Sequence, residues 1–295
     1  MNIEKNIVNI DWLSINFKKV NADDVLKTFC DCTASTDLKV ENFIQLDRGI
    51  VTGFSGCYSY LGQNIIVISF SPIPHMGVNL QVTGSGLKLI GKKDILKFMA
   101  EMSKLTDEFR CNRLDLAYND FDGTIPVDEM LESTLTELDP ENNKRSIMSK
   151  IKREFISVYT NNFDNRVSHN LVFGKHRCVR SFRLYDKKTE QKLTSDECNY
   201  WYRLEIELHS KTRSRNADNA FRKFLAGDTA FQVFYDELVD IIKFIKPQNT
   251  TSNSVSMDIV KVADFWQNFL NVLHQQLTSH NTYYAKLRQR IFVFL

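Results

Sequence analysis

The chain has 295 residues, 43% hydrophobic and 12% aromatic, enough to bury a sizeable core in one large or two small domains. Its formal net charge of +2 excludes a nucleic-acid argument built on whole-protein charge, so such an argument must rest on where the charges lie. The six cysteines, at 30, 32, 57, 111, 178 and 198, lack paired Cys-x-x-Cys spacing, which predicts reduced thiols. No apolar run approaches transmembrane length, and the N-terminus lacks a charged region followed by an apolar core. A cytoplasmic protein without a membrane partner is expected.

In chain order, residues 11–17 read as a strand, 22–30 as a helix, and 50–70 as a strand pair with a Gly-containing turn. Residues 78–83 alternate as a strand, with Gly84-Ser85-Gly86 as the turn after it. That Gly-x-Gly lacks the further glycine and the lysine of a phosphate loop. Residues 93–105 place Ile95, Leu96, Phe98, Met99, Met102 and Leu105 on one helical face, and a strand through Arg113 follows. Residues 128–153 are charged with a broken apolar pattern, which predicts an insertion or a mobile connection. Strands are then expected over 155–159, 170–173, 181–186 and 203–209, followed by a basic helix over 216–226. The run from Lys246 to Ser254 reads as a linker by composition, and 259–278 as a helix whose apolar face belongs to a core.

This order predicts an α+β fold: a largely antiparallel, curved sheet with flanking helices. It divides into a main domain over 1–245, a linker over 246–254 and a C-terminal helical segment over 255–295. Two related strand-rich halves, 1–125 and 155–245 with a charged connection 126–154, are one reading of the main domain, although the halves do not align by eye.

Chemistry concentrates on three alternating strands. Arg183-Leu184-Tyr185-Asp186-Lys187-Lys188 sets a tyrosine hydroxyl among cations, with Lys175, Arg177 and Arg180 upstream. A phenol of ordinary pKa near ~10 is a poor nucleophile at neutral pH, and adjacent cations favour its phenolate. On Tyr202-Arg203-Leu204-Glu205-Ile206-Glu207-Leu208-His209, Arg203, Glu205, Glu207 and His209 face one way and the apolar residues the other. Arg113-Leu114-Asp115-Leu116-Ala117-Tyr118-Asn119 divides likewise. If the three share a sheet, one face carries Tyr185, Asp115, Glu205, Glu207 and several cations. Clustered carboxylates suit Mg²⁺ or Mn²⁺, which would polarise a phosphate that the tyrosine attacks. The bland alternative is a solvated face laced with Arg–Glu pairs. Basic clusters also occur at 144–153, 211–223 and 286–290, and each is open to the reading of a solvated face.

The ordered motifs Ile10-Asp11-Trp12-Leu13-Ser14-Ile15, Met76 to Gly86, Arg113-Leu114-Asp115-Leu116-Ala117, Phe173-Gly174, Arg183 to Lys188 and Arg203 to Leu208 resemble the replication initiation factor family. That family comprises the Rep proteins of rolling-circle plasmids and related relaxases of integrative conjugative elements. The resemblance runs from about residue 8 to about residue 270. It implies site-specific, metal-dependent nicking and strand transfer at a replication origin through a 5′-phosphotyrosyl intermediate. It makes Tyr185 the nucleophile, with Arg183 and Lys187 at the phosphate, and Asp115, Glu205 and Glu207 as ligands of Mg²⁺ or Mn²⁺. Glu207 is alternatively an arginine partner, and His209 either joins the ligands or stays outside them. Lys175, Arg177, Arg180, Lys188, Arg113 and Arg203 are the expected DNA contacts. Where family members often have small or hydroxyl residues after Phe-Gly, this chain has Lys175-His176-Arg177. Implied partners are duplex origin DNA with an extruded hairpin or single-stranded nick site, a host helicase and a second copy in a homodimer. The competing readings are a conjugative relaxase, a non-enzymatic DNA-binding protein, and a metal nuclease using activated water with Tyr185 structural.

Overall fold

Runs rich in β-branched and aromatic residues, bounded by turn residues, form thirteen strands among the described residues. The computed structural model describes residues 7–33, 37–91, 95–142, 144–163, 166–175, 178–249 and 260–292. In chain order the first elements are β1 (Ile7–Phe17), α1 (Ala22–Thr33), β2 (Phe43–Leu46), β3 (Gly56–Tyr60), β4 (Ile66–Phe70), β5 (Val78–Thr83), α2 (Gly84–Ile90), α3 (Ile95–Met102) and β6 (Phe109–Asp120). Next come α4 (Val127–Leu138), β7 (Lys144–Ser149), β8 (Ile156–Phe163), β9 (Arg166–Phe173), β10 (Arg180–Asp186), α5 (Lys187–Glu190) and β11 (Tyr202–Lys211). The last are β12 (Ser214–Arg215), α6 (Asn216–Leu225), α7 (Ala230–Ile241), β13 (Ile242–Asn249) and α8 (Asp264–Phe292). No helix among the described residues is long and apolar enough to cross a membrane.

The chain forms two compact units. The first comprises Asn9–Leu116 and Glu207–Asp228, the second Met1–Val8, Ala117–Ile206 and Thr229–Leu295. Strands β6 and β11 each contribute one end to either unit.

In the first unit the strand order is β2-β3-β4-β5-β1-β6-β11. Pairing is antiparallel from β2 to β1, with Tyr58 opposite Ile68, Ile68 opposite Leu80, and Leu80 opposite Ile15. The inward positions Leu13, Ile15, Ile66, Ile68, Leu80 and Val82 are fully buried. Helix α1 closes this core through Phe29, whose ring meets Phe98 of α3 at 5.5 Å and Phe43 at 5.9 Å. Gly84-Ser85-Gly86, expected as a turn, instead opens α2, capped by the Thr83 hydroxyl accepting from Gly86 N–H at 3.5 Å. Its glycines answer to close packing: a Cβ at Gly86 would lie 2.6 Å from the Ile65 carbonyl oxygen, and one at Gly84 2.8 Å from Asp11 Oδ1.

In the second unit the order is β6-β11-β10-β9-β8, with β13 and β7 as a separate antiparallel pair. The expected sharing of one sheet by the three chemistry-bearing strands holds, since β6, β11 and β10 are neighbours. Phe173, Phe182 and Phe244 fill the space behind them, and Trp266 of α8 meets Phe244 at 5.0 Å and Phe269 at 5.5 Å. The apolar face of α8 is thus core, as its sequence pattern predicts. Residues 128–153, expected as an insertion or a mobile connection, carry most of α4 and all of β7, tied together by Glu137 accepting from the N–H groups of Ser146 (2.8 Å) and Ile147 (3.2 Å). The expected linker begins too early, because Lys246 to Asn249 complete β13; residues 250–254 lie outside the described part.

Trp266 is 0% exposed, so Trp266→Ala removes a large buried ring and leaves a cavity. Urea denaturation should show a loss of about 3–5 kcal/mol. Leu135→Ala on α4, at a position 51% exposed, should stay within about 0.5 kcal/mol of wild type.

Candidate active site

The second unit contains Tyr185. On β10, Phe182 and Leu184 point into the core while Arg183 and Tyr185 occupy the opposite face, half-buried. The strand ends abruptly after Tyr185. Asp186 caps α5, its carboxylate accepting from Thr189 N–H at 3.0 Å and Thr189 Oγ1 at 2.5 Å. The Lys187 and Lys188 N–H groups both donate to the Trp201 carbonyl, at 2.9 and 3.1 Å. These bonds fix the chain immediately after Tyr185 at the end of β10.

Opposite it on β11 stands Glu205, a buried carboxylate with both oxygens engaged. Tyr185 Oη donates to Oε2 at 3.0 Å, and Arg183 Nη2 donates to Oε1 at 2.6 Å. Lys187 pairs with Glu190 and lies 5.6 Å from the centre of the Tyr185 ring. Burial, reinforced by the Glu205 charge and only partly opposed by Arg203, pushes the Tyr185 hydroxyl well above the ordinary phenol range. This corrects the expectation that neighbouring cations hold the tyrosine as a phenolate: in this structure the hydroxyl is a neutral donor. Beside it Arg203 is itself buried, donating through Nε to Asn119 Oδ1 at 2.9 Å, where Trp201 Nε1 also donates at 3.0 Å.

The first unit contains the other acidic pair. Arg113 forks onto Asp115, with Nε to Oδ1 at 3.0 Å and Nη2 to Oδ2 at 2.6 Å, and Nη2 reaches Glu207 Oε2 at 3.1 Å. His209 Nε2 lies 2.5 Å from Glu207 Oε1, and the Trp12 ring stacks against the guanidinium at 4.2 Å. Glu207 is thus an arginine partner in this structure. Among the described residues no group of three His, Cys, Asp or Glu side chains is set out to hold a metal ion. Asp115 and Glu207 nevertheless keep acceptor capacity, because each carboxylate oxygen has two lone pairs. Oxygen ligands of that kind fit a hard divalent cation.

The residues expected at DNA fall into different positions. Lys188 is buried and donates to the Asn199 carbonyl at 3.2 Å and Ser195 Oγ at 3.4 Å. Arg180 is tied to α7 through Asp240 at 2.6 Å and Glu237 at 3.6 Å. Both cations thus have hydrogen-bond or ion-pair partners within the protein, as a desolvated cation needs. Lys175 is exposed, with its ammonium 4.3 Å from the Phe155 ring centre, while Arg177 lies outside the described residues. Trp12, Asn119 and Trp201 are the supports that sequence reasoning missed. Their only sequence signal was that Trp12 and Asn119 sit in the alternating motifs.

A model of the replication initiation factor family matches residues 109–290, beginning at β6. A solved structure described as a rolling circle replication initiator protein from Geobacillus stearothermophilus is similar in fold, with a TM-score of 0.71 at 18% identity. The similarity covers 91% of this chain and 96% of that one. No curated protein matches the chain.

Two outcomes follow from this geometry. Difference titration at the phenolate absorbance, wild type minus Tyr185→Phe, should show Tyr185 ionising above the ordinary phenol value of ~10. Glu205→Gln should move that ionisation down, because it removes the nearby negative charge; an unchanged titration would separate Tyr185 from Glu205. Arg113→Ala should cost about 2–4 kcal/mol by denaturant unfolding, because it strands buried Asp115 and Glu207. Arg113→Lys should recover only part of this, since an ammonium cannot fork.

Proposed function

The chain belongs to the replication initiation factor family, and we propose that it cuts one DNA strand at a rolling-circle origin with Tyr185 as nucleophile. The observation that carries this reading is the hydrogen bond of the Tyr185 hydroxyl to Glu205, itself held by Arg183. A neutral phenol needs a base at the moment of attack, and a carboxylate already at 3.0 Å is placed to accept the proton. Glu205, expected as a metal ligand, therefore acts as the base in this reading.

The phenol oxygen forms a bond to phosphorus as its proton moves to Glu205. The bond from phosphorus to the 3′ oxygen breaks, and that oxygen leaves as a hydroxyl after taking up a proton. The product is a 5′-phosphotyrosyl link and a free 3′ end, and the reverse steps rejoin the strand. Arg183, with its side chain 39% exposed, holds Glu205 in place through their ion pair and is the cation we assign to the charge that builds on the phosphate. Lys187 adds a second cation beside the tyrosine ring. Asp115 and Glu207 would be the residues to hold a Mg²⁺ or Mn²⁺ ion, whose chemistry when bound would be Lewis-acid polarisation of an oxygen ligand.

The substrate we infer is duplex origin DNA that exposes a hairpin or a short single-stranded nick site. A host helicase and a second copy of the chain are the further partners that the family implies. Relaxase action on an integrative conjugative element would use the same chemistry and differ in the fate of the bound strand.

The test is supercoiled origin DNA with Mg²⁺ or Mn²⁺, resolved under denaturing conditions. Wild type should nick and carry covalently bound DNA, and Tyr185→Phe should do neither. Glu205→Gln should slow adduct formation on the order of 10²–10⁴-fold. An adduct that survives in Tyr185→Phe overturns the nucleophile assignment. Cutting without an adduct points to activated water, and binding without cutting to a non-enzymatic DNA-binding protein.

A further inference from the structure

The basic cluster over 211–223 has no part in the chemistry above, yet the first unit builds it with care. Between Lys211 and Lys223 the chain carries Lys211, Arg213, Arg215, Arg222 and Lys223 against the single acidic residue Asp218. Strands β11 and β12 form a tight hairpin, with Ser210 opposite Arg215 and Lys211 opposite Ser214. Arg110 locks it from β6, donating to the Lys211 carbonyl and, at 2.9 Å, to the Ser214 carbonyl. Helix α6 then packs Ala217, Ala220, Phe221 and Phe224 inward.

At the centre lies Asp218, 0% exposed. Its Oδ1 accepts from Cys111 N–H at 3.1 Å, and its own N–H donates to Ser210 Oγ at 2.9 Å, so the carboxylate is anchored to β6 and the backbone to β11. Its Oδ2 accepts from Arg215 Nη2 at 2.6 Å and from Arg222 Nε at 3.1 Å. Arg222 also lies 5.2 Å from the Phe109 ring centre. A buried acid thus fixes two arginines whose side chains remain 59% and 48% exposed. A guanidinium has five N–H donors, and its bond to Asp218 leaves others at the surface with their orientation set. Paying the ordering entropy in advance is what favours binding by such side chains.

We propose that the β11–β12 hairpin and α6 grip the phosphate backbone of duplex DNA, with Arg215 and Arg222 as the preorganised contacts and Lys211, Arg213 and Lys223 around them. The partner rests on the DNA-nicking reading above, but the surface itself does not involve Tyr185. Phosphate fits because several cations converge with one acid, which they already neutralise. Duplex fits better than a single strand: sites for unpaired bases interleave exposed aromatic rings with cations, whereas Phe221 and Phe224 are buried. The proposed contacts are to phosphate, which carries no sequence information, so the grip is independent of sequence.

The experiment measures binding of a mixed-sequence duplex as a function of salt, on a Tyr185→Phe background so that no cutting intervenes. Each lost phosphate contact lowers the slope of log K against log salt by about 0.9. Arg215→Gln with Arg222→Gln should lower it by about 2 and weaken binding at least tenfold at moderate salt. Because these changes also touch buried Asp218, the exposed hairpin pair Lys211→Gln with Arg213→Gln is the second variant, also expected to lower the slope. Equal slopes for wild type and the hairpin variant overturn the proposal, as does an equal loss on a single-stranded oligonucleotide. Wild type should also form the covalent adduct on a single-stranded nick-site oligonucleotide, an assay that does not need the duplex grip. Failure of wild type itself to form that adduct would count against the nicking reading and leave the salt result standing.

Discussion

A carboxylate buried in a sheet stays charged only where cations or several hydrogen-bond donors meet it, and the polar sides of β6, β10 and β11 are organised around that requirement. Arg113 bridges Asp115 and Glu207, Arg183 meets Glu205, and Asp218 draws in Arg215 and Arg222. Asp120 at the end of β6 shows the other solution. Its carboxylate accepts from the N–H groups of Asp122, Gly123, Thr124 and Ile125, and burial still raises its pKa. Such pairs define strand register. A one-residue slip of β11 would drive Glu205 and Glu207 into the space of Leu204 and Ile206, both fully buried.

The same constraint sets the resting state of the tyrosine. Arg183 is engaged with Glu205, so its charge is largely answered before it can act on the phenol. Burial and the adjacent carboxylate then keep the proton on Tyr185. Counting cations near a tyrosine in sequence therefore misjudges its ionisation, because the acid that cancels them comes from another strand. Under the nicking reading proposed above, a protonated tyrosine beside its base would stay unreactive until a phosphate arrived.

Much of the architecture was legible because it obeys period two. The apolar sets Leu114–Leu116, Phe182–Leu184 and Leu204–Ile206 marked the buried faces, and each is 0% exposed. Helix α8 was equally plain from its aromatic stripe. Where reading failed, polar groups had taken structural roles that hydrophobic periodicity does not register. In α4, Thr134 and Glu137 are buried and β7 is anchored through Glu137, so the segment looked patternless. Gly84 and Gly86 looked like a turn because glycine's other use, close approach of backbone and side chains, leaves no local mark. For the site, residue types and faces were readable. The pairings were not, since Glu205 bonds Tyr185 and Arg183 from twenty or more positions away.

The basic residues divide by what lies behind them. Lys188, Arg180 and Arg203 sit in sequence clusters that look alike from outside, yet each is drawn inward by acceptors: the Asn199 carbonyl, Asp240 and Asn119. Arg215 and Arg222 are held just as firmly, but by a carboxylate placed beneath them, so their side chains stay at the surface. Position of the acid relative to the core decides whether an arginine is scaffold or surface. A nearly neutral protein can then present a fixed positive patch without a large net charge, because its acids and cations are unevenly distributed along the chain.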